Sequence, residues 1–265
     1  MNNEDSIQYL IDRPEPSELF LAARQIAGMQ LQEQFGRFNL SAPPSHLPAF
    51  RWIKAELTYP SFDHLSFAHK NSIFSVVIDI RQGQESSLSE QQMGNLMDVC
   101  QTHQLVPCVF TIDFDDELLL PRSTGWNLVH ADTLQSIDPL SLAEDGPVVM
   151  SAWELANFSI QVVRDYLEKQ GNEVLSFCDL PEVNPQIWFR DSEGKECWLI
   201  VKNTVSNEPL DSSEWQGFEK SNDSLKPHDG YFAAVRIKST QDVLLRGAGM
   251  MVDFRGIEKI YAGEE

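Results

Sequence analysis

Two side chains stand where they could share chemistry: Glu154, in the first turn of an amphipathic stretch, and Lys202, at the end of the apolar run Cys197–Lys202. A carboxylate can ligate a hard divalent cation or move a proton, and an ammonium can neutralise a developing anion. One carboxylate does not make a metal centre. The intervening segment adds the carboxylates Asp179, Glu182 and Asp191 and the neutral oxygen donors Asn184 and Gln186. Both lead residues also have structural roles open to them. Ser151 and Glu154 form S-x-x-E, a capping box that satisfies two orphan backbone donors. Lys202 can pack its stem and leave its ammonium in water.

The remaining chemical residues carry weaker signals. Four cysteines (Cys100, Cys108, Cys178, Cys197) lack CxxC spacing and read as buried thiols, not as a zinc site or a disulfide frame. Six histidines show neither HxxxH nor HxH spacing. Asp113, Asp115, Asp116 and Glu117 cluster at a predicted hairpin tip and read as solvated turn chemistry. Arg246-Gly247-Ala248-Gly249 contains GxG without a third glycine or a following helix, so it predicts a turn or bulge.

Elements that could position these residues follow from periodicity. Ser17 is a plausible N-cap for a helix to about Gln34, followed by a Pro-rich loop, SAPPSHLP. Strands are predicted over Phe50–Leu57, Leu65–Ala68 and Ile73–Ile80, a helix over Ser89–His103, and strands over Val106–Phe114 and Leu118–Leu120. After a Pro-, Gly-, Ser- and Asp-rich stretch the order returns. A helix over Ser151–Gln170 precedes strands near Glu173–Phe177, Gln186–Arg190 and Cys197–Lys202. A helical patch near Ser212–Lys220 and strands over Tyr231–Lys238, Val243–Leu245 and Met250–Phe254 complete it. The expectation is an α/β (α+β) protein of two similar αβββαβ units. They would occupy residues 1–121 and 148–265, joined by a linker at 122–147. One face of the second-half helix (Trp153, Ala156, Ile160, Val163, Leu167) should be buried against the strand carrying Leu199 and Val201.

Residues 151–202 resemble the core of the PD-(D/E)XK nuclease superfamily, about a fifth of the chain. There a helix acid, an Asp on the second core strand and an (Asp/Glu)-x-Lys on the third hold a divalent metal that activates water. The resemblance aligns Glu154 with the helix acid and Lys202 with the lysine. It places Ile187 and Ile200 at the two remaining acid positions. Isoleucine cannot ligate Mg²⁺, which demands oxygen donors, so the outline comes without its metal set. The first half is similar to the type III secretion chaperone fold in element order and charge alone.

Charge narrows the function further. Forty acidic against 20 basic residues give a net charge of −20, which opposes nucleic-acid phosphates and anionic membranes. The same excess keeps a domain soluble without further purpose. The acidic N-terminus has no basic region before an apolar core, and no apolar run reaches the ~18 residues a membrane span needs. Cytoplasmic location is the default expectation. The reading is a non-catalytic protein-binding module on a degenerate nuclease-like scaffold, engaging a basic protein partner, with no cofactor or metal expected. The alternatives are a divergent metal-dependent nuclease using Glu154, Lys202 and relocated acids, or an acidic chaperone-like protein.

Overall fold

The computed structural model describes residues 15–41, 50–57, 61–143, 146–206, 210–239 and 243–261. The Pro-rich loop lies outside these residues, apart from its first serine, Ser41.

The chain is a mixed α+β protein with two sheets. Helix α1 (Glu18–Ser41) starts where Ser17 Oγ accepts from Phe20 N at 3.2 Å. It continues past Gln34 because Phe35 and Phe38 extend the apolar row of Ala23, Ala27 and Leu31 into one core. Strands β1 (Arg51–Lys54), β2 (Leu65–His69) and β3 (Ser72–Gln82) pair antiparallel in sequence, with the two-residue β4 (Glu85–Ser86) folded onto β3. Helix α2 (Glu90–His103) opens with a complete capping box, Ser89 with Gln92. It forms the crossover that lets β5 (Val106–Asp115) run parallel to β3. Strands β6 (Leu118–Pro121) and β7 (Leu128–His130) both pair antiparallel with β5.

β7 and the short α3 (Pro139–Leu142) fall within the expected linker. Leu128 is fully buried in the first core, so this stretch belongs in part to the first sheet. Its turn-rich composition hid a three-residue strand.

Helix α4 (Ala152–Lys169) leads the second half, followed by β8 (Glu173–Phe177), β9 (Ile187–Arg190) and β10 (Glu196–Thr204) in an antiparallel meander. β11 (Asp229–Ser239) runs parallel to β10, and β12 (Met250–Tyr261) closes the sheet antiparallel to β11. The crossover between β10 and β11 carries two 3-10 turns, Ser212–Trp215 and Phe218–Ser221, where a helical patch was expected. Val243–Leu245 contributes only an isolated bridge, Val149 to Leu245, and β12 extends well beyond Phe254. Both sheets therefore share one path: three antiparallel strands, a parallel partner after a crossover, then an antiparallel closing strand.

Each sheet is covered on both faces. α1 packs on one face of the first sheet, and α2 with Trp153 packs on the other. In the second, α4 covers Ile187, Leu199 and Val201, while Trp215, Phe218 and Leu225 cover Trp198, Ile200 and Phe232. Ile160, Val163 and Leu167 lie against Leu199 and Val201. Trp153 does not. Its indole sits in the first-half core and meets Phe62 edge-on at 5.8 Å. One helix thus nails two cores together, because its first turn projects past the sheet that its remainder covers.

Candidate functional site

The positions singled out by the nuclease resemblance do not converge. β-strand side chains alternate between faces, and Ile187 and Ile200 point to opposite faces of the second sheet, both fully buried. Lys202 follows Trp198 and Ile200 onto the face away from α4, while Glu154 belongs to α4. Even with acids at both isoleucine positions, these four residues would flank the sheet without sharing one ion. No group of three or more His, Cys, Asp or Glu side chains among the described residues is placed to hold a metal.

Glu154 is occupied elsewhere. Its carboxylate accepts from Ser151 N at 2.9 Å, completing the capping box. Arg246 Nε then reaches both of its oxygens at 2.9 Å. The rest of the Arg246 guanidinium donates to the carbonyls of Asn71 (2.9 Å), His103 (3.1 Å) and Gln104 (3.3 Å). Arg246 therefore caps the C-terminal end of α2 in the first half while pairing with the N-terminal end of α4 in the second. Nothing around Arg246 in the sequence marks this role. The RGAG turn is legible, but its partners lie about 90 to 175 residues away.

A second buried polar cluster also joins the two halves, and nothing in the sequence marks it. Lys54 on β1 forms ion pairs with Asp63 and, at 3.7 Å, with Asp179. Its ammonium also donates to Ser61 Oγ at 2.8 Å and lies 5.0 Å from the Phe62 ring. Asp179 accepts from Asn157 Nδ2 at 3.1 Å, and Gln161 donates to both Asn157 Oδ1 (2.6 Å) and Ile53 O (3.3 Å). Lys54 is 5% exposed, Asp63 and Asp179 not at all. Among the described residues, Asp63 Oδ2 and Asp179 Oδ1 have no hydrogen-bond partner. Burial pushes the Asp63 carboxyl up to about 6, against the attraction of Lys54 and with the repulsion of Asp179. The Lys54 ammonium is held above its ordinary value, since the two carboxylates outweigh its own burial cost.

Lys54, Asn157 and Gln161 of this cluster line a cleft of about 350 Å³ between β1 and α4, where Arg164 stacks on Phe177 at 3.6 Å and pairs with Glu56 at 2.8 Å. Polar bridges cross it, from Gln161 to Ile53 O and from Arg164 to Glu56. Its residues suit holding two halves together.

Lys202 lies in a different environment. Nζ donates to Asn184 Oδ1 at 2.8 Å and sits 4.6 Å from the Trp215 ring, with no carboxylate partner among the described residues. Burial lowers its ammonium to about 8, with Glu182 opposing.

The acids at the β5–β6 tip divide. Asp113 is paired with Arg122, which holds its carboxyl below the usual range. Asp115, Asp116 and Glu117 form no ion pair among the described residues and border a cleft of about 710 Å³ with Arg81, Gln82 and Gly83. Leu118 and Leu120, each 60% exposed, follow directly on β6.

A protein-family profile described as a domain of unknown function (DUF8840) matches residues 153–260, from the first turn of α4 through β12. The matched segment is therefore the second sheet with its helix. Neither a curated protein nor a solved structure matches the chain. No helix among the described residues is long and apolar enough to cross a membrane.

Proposed function

We propose that this chain is a non-catalytic protein-binding module whose acidic surface engages a basic protein. The observation that carries the reading is the β5–β6 tip, where three acids with no ion pair among the described residues precede two exposed leucines. Exposed acids steer a cationic partner toward the surface, and adjacent uncovered apolar area supplies short-range contact. The bond from Arg122 N to Thr111 O fixes Leu118 and Leu120 as the residues bonded to β5. That leaves Leu119 and Pro121 with outward backbone, and Pro121 has no N–H to offer. Strand addition at this edge is thereby discouraged, and recognition falls to side chains. The fate of Glu154 supports the same reading, since its carboxylate is committed to Ser151 and Arg246.

The test uses protamine as a basic probe in fluorescence anisotropy. Binding should weaken with salt, and weaken further when Asp115, Asp116 and Glu117 become Asn, Asn and Gln. Affinity unchanged by that triple variant would reject this surface. Parallel incubation of plasmid, single-stranded DNA and RNA with Mg²⁺ or Mn²⁺ should leave them intact. Metal-dependent cleavage that vanishes in Lys202→Ala would replace the binding reading with the divergent-nuclease alternative.

A further inference from the structure

We propose that the uncovered end of the first sheet seats a basic amphipathic α-helix of a partner protein. This inference rests on the protein-binding reading and adds to it the partner's secondary structure and the face it covers. Alternation along the strands settles which face is open. Phe110, Ile112 and Phe114 on β5 and Leu119 on β6 belong to the core under α1. Val109 points the other way, into the core under α2. Asp113 and Asp115 share the parity of Val109, and Leu120 and Leu118 lie directly opposite them across the β5–β6 pair. The α2 face therefore continues past Val109 into two acid–leucine pairs. Among the described residues, the core that α2 forms there takes Ile73, Val77 and Val109 from the strands and nothing from β6.

Charge on this face selects the partner. Arg122 pairs with Asp113 and Arg81 with Asp79, so the excess at the tip is that of Asp115, Asp116 and Glu117. Lysines or arginines on the tip side of a docked segment meet those three acids while its apolar residues cover Leu118 and Leu120.

Spacing selects the helix. A chain laid on a sheet face finds no backbone partners beneath it, and a helix satisfies its own N–H and C=O groups. An extended segment would need the β6 edge, where Pro121 has no N–H to offer. Leu118 and Leu120 are two strand residues apart, about 6.6 Å. Helix positions i and i+4 are about 6 Å apart along the axis, so apolar residues one turn apart meet both leucines. From β3 across β5 to β6 is two strand spacings, about 10 Å and close to the diameter of one helix. A helix seated there extends the layer that α2 begins.

The test measures anisotropy of two labelled peptides of one Leu and Lys composition, one ordered to put its leucines on one helix face, the other in strict alternation. The helical order should bind about tenfold tighter, and circular dichroism should show helix gained in the complex. Leu118→Gln with Leu120→Gln should weaken that peptide by about tenfold, with protamine affinity and the thermal midpoint unchanged, since both leucines are exposed. If protamine responds to the acid triple variant while the two peptides bind alike, the helix is overturned and the protein-binding reading stands. If protamine ignores the acids, both fall. Self-association in size-exclusion chromatography that disappears in the leucine variant would give the face to a second copy and overturn the proposal as well.

Discussion

Arg246 Nε holds both carboxylate oxygens of Glu154 at 2.9 Å, across 92 residues of sequence and at the junction of the two halves. Replacing Arg246 by Met leaves a buried carboxylate unpaired and strips the donor from three carbonyls. The expected loss of stability is ~3–5 kcal/mol, the usual result of removing one partner of a buried pair. Adding Glu154→Gln to that variant removes the orphaned charge and should recover part of the loss. Denaturant unfolding of the single and double variants decides it, and a double variant as unstable as the sum of the singles would contradict the pairing.

Asp63 should make stability depend on pH in an unusual sense. Its folded value of about 6 lies above the ordinary 3.8, so the folded state binds the proton more tightly. A carboxyl raised in this way contributes stability in full below about 4, and that contribution is lost as pH rises through about 6. Asp63→Asn cannot titrate there. The stability of the natural chain minus that of the variant should fall between pH 4 and pH 7, by on the order of 3 kcal/mol. Taking the difference removes the opposing slope of ordinary carboxylates such as Asp211 and Asp223, whose hydrogen bonds hold them low. A difference that is flat or rises over this range would mean that Lys54 fully compensates Asp63.

Ile160 tests how α4 is seated. Its side chain is 2% exposed and shares one core cluster with Val163 and the sheet residues Leu199 and Val201. Ile160→Ala should cost ~2–5 kcal/mol through lost burial and the cavity left behind. An unchanged thermal midpoint would place that face of the helix in solvent.

Gly230 separates a close approach from ordinary strand propensity. It is in register with Trp198 across the parallel β10–β11 pair, and a Cβ there would lie 2.2 Å from the buried indole. Gly→Ala inside an ordinary strand adds roughly 0.5–1 kcal/mol. Here the sign should reverse, with a loss of about 1–3 kcal/mol from overpacking. Near-ultraviolet circular dichroism should report the displaced Trp198. A stabilised Gly230→Ala would refute the packing.

The sequence by itself determined the mixed α+β class, nearly every helix and strand, and the capping box of Ser151 with Glu154. Those features depend on neighbours within a turn or an alternation of two, and Ser151 with Glu154 is visible as letters. Short range also explains what was cut short. α1 was ended near Gln34 although Phe35 and Phe38 continue its core, and β7 was lost in a turn-rich stretch because three residues show no period. Only the tertiary structure decided which side chains share a space. The spacing of Trp153 matches that of Ile160 and Val163, yet it joins the other half's core because it lies at the helix end that overhangs the seam. Ile187 and Ile200 look like paired positions in the sequence, and the parity of their strands sends them to opposite faces. Lys54, Asp63 and Asp179 carry no mutual signal along the chain. They meet because β1 and α4 close on each other, and there burial and Coulomb forces, not spacing, set the protonation of Lys54 and Asp63.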